Sequence, residues 1–339
     1  MAGNTGIKGG YWLAQQATIL PSERIPVSCF THVFYAFVGV DPGTGALRIP
    51  QQDEEQIENF VDRIHRDNRK AILSIGGPKS SAFDPSIDIT TMASERGKRT
   101  AFINSTIQAS ERFRFDGFDL AWEFPRTQDE MNSLGLLIEE WRQQIRSRQP
   151  ALVLAATVRF SPVIPKAPQP IKYPAAAINA NLDFINLILY NYTPVTCGPA
   201  RFNVDPYSIG NSANGISSWT EAGVGVTKLA MGIPLFGNKW LLADIGDNGI
   251  GAPVAGYNGQ VPYSQINGAN NGTFDPVTRS QYVAEGTTWY GYEGAQSIAD
   301  KISHAKQNNL VGGYFLYPLG YEDSGHTLSR AASDAWGRT

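Results

Sequence analysis

Two carboxylates in the apolar run 115–124 stand at the spacing of a β-strand. Successive strand side chains point to opposite faces, so Asp119, Ala121 and Glu123 share one face. Burying a carboxylate is costly unless it has a partner or a role. Glu123 comes last, at the end of the run, and is our candidate general acid or base, with Asp119 as its neighbour. The alternative is a buried glutamate satisfied by a local partner.

A basic residue stands near the end of another apolar run, 152–160. Arg159 interrupts a stretch that is otherwise suited to a buried strand. On the same side as the carboxylates, it would pair with Asp119 or Glu123, or bind an anionic ligand. The alternative is a surface arginine whose aliphatic stem covers apolar neighbours.

Eight short apolar runs recur along the chain, separated by stretches with apolar residues at helical spacing. Strands buried on both faces read as continuous apolar runs. Eight such strands alternating with helices predict an α/β fold, the (β/α)8 TIM barrel, whose functional residues lie at the C-terminal ends of the strands. An open doubly wound sheet is the alternative, although no GxGxxG follows the first run. The predicted strands are residues 10–14, 31–40, 71–77, 115–124, 152–160, 182–192, 228–237 and 311–319.

One segment interrupts this alternation. Residues 238–288 are rich in glycine, asparagine and aromatic residues, and the segment is too long for a plain loop between a strand and a helix. We therefore predict that residues 1–237 and 289–339 form the barrel. Residues 238–288 are predicted to form a small α+β insertion after strand seven, which raises one wall of the barrel mouth.

The composition excludes several classes of protein. Of 339 residues, 42% are hydrophobic and 17% charged, unlike a disordered chain. The net charge is −3 and no basic stripe occurs, so nucleic acid is not an expected partner. No stretch approaches 18 consecutive apolar residues, so a membrane partner is not expected, and residues 1–8 lack the apolar core of a signal peptide.

Metal-binding patterns are missing from the sequence. The four histidines are scattered, and neither HExxH nor CxxC occurs, so we expect no metal and no cofactor. The two cysteines, Cys29 and Cys197, form either one disulfide or two free buried thiols.

Several ordered motifs resemble one enzyme family. The stretch DGFDLAWEFP at 116–125 resembles the DGxDxDWEYP signature of family 18 glycoside hydrolases, and the opening runs are most similar to plant class V chitinases and chitinase-like proteins. The similarity covers nearly the whole chain and implies a TIM barrel with an insertion. The other matching motifs are GGYW at 9–12, FTHVFYAF at 30–37, SIGG at 74–77, INLILYNY at 185–192, KLAMGIPLFG at 228–237 and GGYFLYPLGYED at 312–323.

The resemblance implies chitin cleavage assisted by the substrate, an exception to the usual two-carboxylate scheme. Glu123 matches the glutamate that protonates the leaving oxygen, and Asp119 matches the second aspartate of the signature. Tyr190 matches the tyrosine that donates a hydrogen bond to the acetamide carbonyl. Tyr11 and Phe37 are implied to lie near the mouth. Plant relatives of this class are usually secreted or vacuolar, and we expect the same here.

Three positions depart from the family pattern. Ala121 replaces the aspartate that holds the acetamide, Asn191 replaces the aspartate after the tyrosine, and Tyr317 replaces the tryptophan floor. Losing one charge-assisted hydrogen bond in a dry site costs on the order of 3 kcal/mol, about a hundredfold in rate. Three changes around one subsite predict a degraded catalytic motif and a rebuilt pocket.

The favoured hypothesis is a monomeric chitinase-like barrel that has lost efficient chitin hydrolysis. Its pocket takes a changed ligand, a small molecule that need not be a sugar, with Glu123 as general acid or base. One alternative is a lectin that binds chitin oligosaccharides without cleaving them, and another is a weak family 18 chitinase. The sequence does not determine whether the chain is an enzyme.

Overall fold

Eight parallel strands close into a barrel in the computed structural model, which describes residues 6–79, 84–190 and 212–337. Each strand pairs with the next along the chain, and the first pairs with the last, so the sheet has no free edge. The strands are β1 (Ile7–Leu13), β2 (His32–Val40), β3 (Lys70–Gly77), β4 (Gly117–Trp122), β5 (Val153–Arg159), β6 (Phe184–Ile188), β7 (Leu229–Pro234) and β8 (Gly313–Tyr317).

Helices surround the barrel and bury their apolar stripes against the outward side chains of the strands. In the helix Gln128–Ile145, for example, Leu137 and Trp141 are fully buried, and the Trp141 ring packs against Phe118 of β4 with centroids 5.3 Å apart. The hydroxyl of Thr127 caps this helix by accepting the Glu130 N–H at 3.1 Å. The described α-helices are α1 (Glu54–Arg66), α2 (Pro85–Ser94), α3 (Arg96–Phe113), α4 (Gln128–Ile145), α5 (Ala175–Asn181), α6 (Ser212–Glu221), α7 (Ala295–Gln307) and α8 (Thr327–Trp336).

The helices and the outward strand side chains form one core, and a second core fills the inside of the barrel. Alternate strand residues point inward, and aromatic rings from β1, β2, β6 and β8 occupy most of this space. Tyr11 stacks on Phe34 with ring centroids 4.2 Å apart, and Phe315 meets Tyr11 edge-on at 5.3 Å. Gly232 makes room for this packing, because a Cβ there would lie 2.5 Å from the Phe315 ring. The barrel is therefore a filled core with its polar inward residues concentrated near Asp119.

The segment after β7 forms an antiparallel sheet of five strands. Between residues 236 and 292 the helical structure consists of two 3-10 turns, Tyr263–Gln265 and Ala269–Asn271. The sheet begins before and ends after the predicted insertion 238–288, and the division of the chain into domains stays a prediction. Its strands are Phe236–Leu242, Val254–Pro262, Thr273–Asp275, Ser280–Glu285 and Thr288–Tyr292.

The predicted (β/α)8 barrel with an insertion after strand seven is confirmed. The insertion contains a β-sheet and 3-10 turns but no α-helix between residues 236 and 292, and the strand limits also differ. The first strand was predicted at 10–14 but spans Ile7–Leu13, because Lys8 and Gly9 interrupt the apolar pattern while still pairing with β8. Most other strands are shorter at their ends than the apolar runs. Three short strands (Leu47–Arg48, Val163–Ile164 and Ile171–Lys172) and six further 3-10 turns (Ala14–Gln16, Ser22–Arg24, Val27–Cys29, Gln51–Asp53, Val226–Lys228 and Leu319–Tyr321) complete the described elements.

Two further findings concern membrane-spanning helices and the two cysteines. In the described ranges, no α-helix combines the length and hydrophobicity that a membrane-spanning segment needs. Cys29 is a buried free thiol, and Cys197 lies outside the described residues.

Candidate active site

The site is built around Asp119, a fully buried carboxylate on the inward face of β4. Its Oδ2 accepts hydrogen bonds from Ser74 Oγ at 2.6 Å and from Tyr11 Oη at 2.8 Å. Thr157 Oγ1 lies 3.1 Å from both carboxylate oxygens. Asn186 Nδ2 donates to Tyr11 Oη at 2.6 Å and so extends the network. Residues from four other strands therefore form a network around this one carboxylate.

These contacts oppose the effect of burial on Asp119. Removal from water raises the pKa of this carboxyl to about 6, while the hydrogen bonds from Ser74, Tyr11 and Thr157 act in the lowering direction. Burial also raises the pKa of Tyr11 well above its usual value, so this phenol stays a neutral donor. The network can hold the charge of Asp119 at neutral pH because hydroxyl donors surround it.

Glu123 follows directly after β4, at the mouth of the barrel, and is half-buried. Burial raises the pKa of its carboxyl to about 8, and the negative charge of Asp119 adds to this shift. A carboxyl with this pKa is largely protonated at neutral pH and can donate a proton. That is the protonation state a general acid requires.

Ala121 lies between the two carboxylates in sequence and is fully buried. Because side chains alternate along a strand, its methyl group shares the inward face with Asp119. At this position the strand offers neither a charge nor a hydrogen bond to a ligand.

Aromatic side chains line the same end of the barrel. Tyr190 and Tyr317 lie nearly parallel, at 9° with centroids 6.3 Å apart. The pKa of each phenol is raised, first by burial and next by the charge of Glu123. The centroid of the Phe37 ring lies 6.4 Å from that of Tyr317 and 6.1 Å from that of Tyr11. The predicted aromatic residues therefore lie together.

Arg159 is the last residue of β5, two positions beyond Thr157 on the inward face, and it is half-buried. In the part of the chain that the structure describes, it forms no ion pair with Asp119 or Glu123, so the predicted pairing is not found. Its Cζ lies 5.0 Å from the centroid of the Phe160 ring. Asn191, the remaining predicted ligand-binding residue, lies outside the described residues.

Sequence reasoning missed four residues of this site. Ser74 and Thr157 contact Asp119, and Asn186 contacts Tyr11. Period-two spacing within β3, β5 and β6 could have placed these three on the inward face. Tyr173 stands in a connection without a strand pattern, so no comparable signal marked it. Burial raises the pKa of this phenol, and the charges of Arg159 and Glu123 act on it in opposite directions.

Two other findings concern the first residue of the 116–125 motif and metal binding. The first aspartate of the motif, Asp116, accepts hydrogen bonds from His65 Nε2 and the Ala71 N–H, both at 2.8 Å, at the start of β4. It therefore joins α1 and β3 at the opposite end of the barrel. Within residues 6–79, 84–190 and 212–337, no group of three or more histidine, cysteine, aspartate or glutamate side chains is arranged to hold a metal ion.

Comparison with known proteins supports the resemblance seen in the motifs. The sequence model of Glycosyl hydrolases family 18 matches residues 8–322. The class V chitinase CHIT5a of Medicago truncatula is 35% identical over 356 residues, which cover 98% of this chain and 90% of the relative. These matches confirm the resemblance to plant class V chitinases.

Two solved structures have the same fold over almost their full length. A mutant class V chitinase from Nicotiana tobaccum in complex with NAG4 has a TM-score of 0.88 and 30% identity, covering 98% of this chain and 99% of that one. The chitinase-like agglutinin RobpsCRA from Robinia pseudoacacia has a TM-score of 0.87 and 35% identity, covering 98% of this chain and 100% of that one.

Proposed function

Because this chain belongs to family 18 of the glycosyl hydrolases, we propose that it is a chitinase-like protein that binds N-acetylglucosamine oligosaccharides but does not hydrolyse them efficiently. The binding site is the barrel mouth around Glu123, Tyr190 and Tyr317. The proposal includes a secreted or vacuolar location, which is based only on the resemblance to plant class V chitinases.

The buried methyl group of Ala121 is the observation that carries this proposal. In the mechanism implied by the resemblance, a carboxylate at this position stabilises the positive charge that develops as the acetamide attacks. Without it, the transition state loses on the order of 3 kcal/mol, about a hundredfold in rate. Asp119 is a poor substitute, because Ser74, Tyr11 and Thr157 hold its carboxylate inside the barrel.

The ligand class is supported by the aromatic mouth and by the relatives. Tyr190, Tyr317 and Phe37 offer ring faces, and the two tyrosines offer hydroxyls, which suit the apolar and polar faces of a sugar. One similar structure contains NAG4, and another is a chitinase-like agglutinin. Both features favour an N-acetylglucosamine oligomer over an unrelated ligand.

Retained acid chemistry on a changed, non-sugar small molecule is a second candidate function. It is favoured by the raised pKa of Glu123, which keeps a proton donor in a mouth that lacks the acetamide-holding carboxylate. In this case Glu123 protonates an atom of the ligand that is not a glycosidic oxygen, and Tyr190 orients that ligand.

Binding and cleavage can be measured separately to test these proposals. The purified protein is titrated with the N-acetylglucosamine tetramer and hexamer by tryptophan fluorescence, and mass spectrometry follows cleavage over one day. We expect saturable binding in the wild type and in Glu123→Gln, with almost no cleavage in either. Rapid cleavage that is abolished by Glu123→Gln would overturn the loss of hydrolysis. If neither oligomer binds, the ligand is not chitin and the second candidate gains support.

A further inference from the structure

The position of Arg159 makes it part of the mouth. On β5, Ala155 belongs to the barrel interior and Thr157 contacts Asp119, so Arg159 follows on the same face. The β4–β5 register pairs Gly117 with Val153 and continues through Leu120 with Ala156. Continued by three residues, the same offset places Arg159 level with Glu123 at adjacent strand ends.

The backbone of Arg159 is held on both sides. Its N–H donates to Tyr173 Oη at 3.4 Å, and its carbonyl accepts from Trp219 Nε1 at 3.1 Å. The guanidinium Cζ lies over the Phe160 ring, 5.0 Å from its centroid, in a cation–π contact. Among the described residues, no carboxylate forms an ion pair with this side chain.

Part of the guanidinium lacks a partner. The Nε atom is buried and has no hydrogen-bond acceptor among the described residues. Arginine is always charged, and its fork of donors matches a planar carboxylate in a bidentate pair. Burying such a donor without an acceptor is unfavourable, so the site is suited to a ligand that supplies one.

We propose that Arg159 is a specificity-determining residue that binds a carboxylate on the ligand, so that the preferred ligands are N-acetylhexosamine oligosaccharides carrying a carboxylate substituent. This inference rests on the proposed binding of N-acetylglucosamine oligomers in the same mouth. It adds a preference for a negative charge, which a neutral chitin oligomer lacks.

The matched probes are two β-1,4-linked tetrasaccharides. One is the N-acetylglucosamine tetramer, and the other alternates N-acetylglucosamine with N-acetylmuramic acid, which adds a lactyl carboxylate to the same backbone. Calorimetric titration of the wild type should show at least tenfold tighter binding of the acidic tetramer. Arg159→Met should remove this preference by weakening binding of the acidic tetramer at least tenfold.

Two further variants separate a specific contact from charge and folding effects. Arg148→Met removes an exposed arginine that pairs with Glu111 near the opposite end of β5, so it should leave the preference unchanged. Arg159→Lys keeps the charge but not the bidentate geometry, and it should retain only part of the preference. Circular dichroism and thermal unfolding establish that each variant is folded.

The outcomes separate the inference from the function it rests on. Equal affinity of the wild type for the two tetramers overturns the role of Arg159 and leaves the proposed function intact. The same conclusion follows if Arg159→Met weakens both ligands equally, or if Arg148→Met also removes the preference. Failure of both tetramers to bind overturns the proposed function itself.

Discussion

Asp119 and Glu123 lie four residues apart along one strand and its end, and the charge of the first raises the pKa of the second. Only Ala121 stands between them on the shared inward face. The two carboxylates differ in their surroundings, since hydroxyl donors from three other strands surround Asp119, whereas burial dominates the shift of Glu123. The mouth therefore combines a charged structural carboxylate with a protonated one that can act as an acid.

The raised pKa of Glu123 predicts how stability depends on pH. With a folded pKa of about 8 and an ordinary value of 4.5, the folded state holds a proton that the unfolded state has lost between these pH values. The contribution of Glu123 to the free energy of unfolding is thus most favourable below pH 4.5 and is lost as the pH rises through about 8. Glu123→Gln should be more stable than the wild type at pH 8.5 by on the order of 1–3 kcal/mol, because partial solvation reduces the full effect.

Urea denaturation at pH 5 and pH 8.5 measures this difference. Glu139→Gln on α4 is the matched control, because its side chain is exposed and the substitution is chemically identical. We expect a stability gain that grows with pH only for the Glu123 variant. A gain of the same size at both pH values would mean that packing, not ionisation, separates this variant from the wild type.

Under the proposed function, adding a carboxylate at position 121 should increase hydrolysis. Ala121→Asp places a charge where the resemblance implies one, and we expect cleavage of the N-acetylglucosamine hexamer to rise at least tenfold. Ala121→Asn is nearly isosteric without the charge and should give no such rise. Because Ala121 is fully buried beside Asp119, the aspartate variant should also be less stable than the asparagine variant at neutral pH.

Mass spectrometry of the hexamer digest provides the rate, and thermal unfolding provides the stability. A folded Ala121→Asp variant without faster cleavage would contradict the assignment of the lost activity to this position. Tyr317, where the resemblance implies a tryptophan, would then be the next position to change.

The hydrogen bond from Tyr11 to Asp119 should stabilise the fold most when Asp119 is charged. Tyr11→Phe removes a donor to a carboxyl whose pKa is about 6, so the variant should lose about 1–3 kcal/mol at pH 7.5 and less at pH 5. Tyr35→Phe is the control, since that hydroxyl donates to the neutral Gln56 at 2.9 Å. Its effect on the free energy of unfolding should be the same at both pH values. If the Tyr11 variant behaves likewise, Asp119 is not ionised in the folded protein.

The sequence is sufficient to predict the barrel and the inward face of β4, since period-two alternation and eight apolar runs determine both. It is not sufficient to identify the partners of Asp119, because Ser74 and Thr157 meet it only when three strands associate in a particular register. For the same reason, the sequence does not determine whether Arg159 faces the carboxylates or the surface. Tyr173 stands in a connection, where no periodic pattern indicates the direction of a side chain.

The insertion is joined to the barrel helices by a buried ion pair. Glu293, directly after the last insertion strand, pairs with Lys301 of α7, and both side chains are at most 7% exposed. Lys301 also donates to Ser280 Oγ at 2.9 Å. Glu293 borders a crevice that Tyr190 also lines, so this pair helps to position one wall of the mouth.

Breaking this pair should be costly, because one charge would remain buried without its partner. Lys301→Met should lower the free energy of unfolding by about 3–5 kcal/mol, and adding Glu293→Leu should recover most of the loss. Arg148→Met, which breaks an exposed pair with Glu111, should cost less than about 1 kcal/mol. Urea denaturation at pH 7 measures all three. If Lys301→Met costs no more than the exposed control, Glu293 accepts a proton or reaches water when its partner is lost, and the pair does not hold the insertion in place.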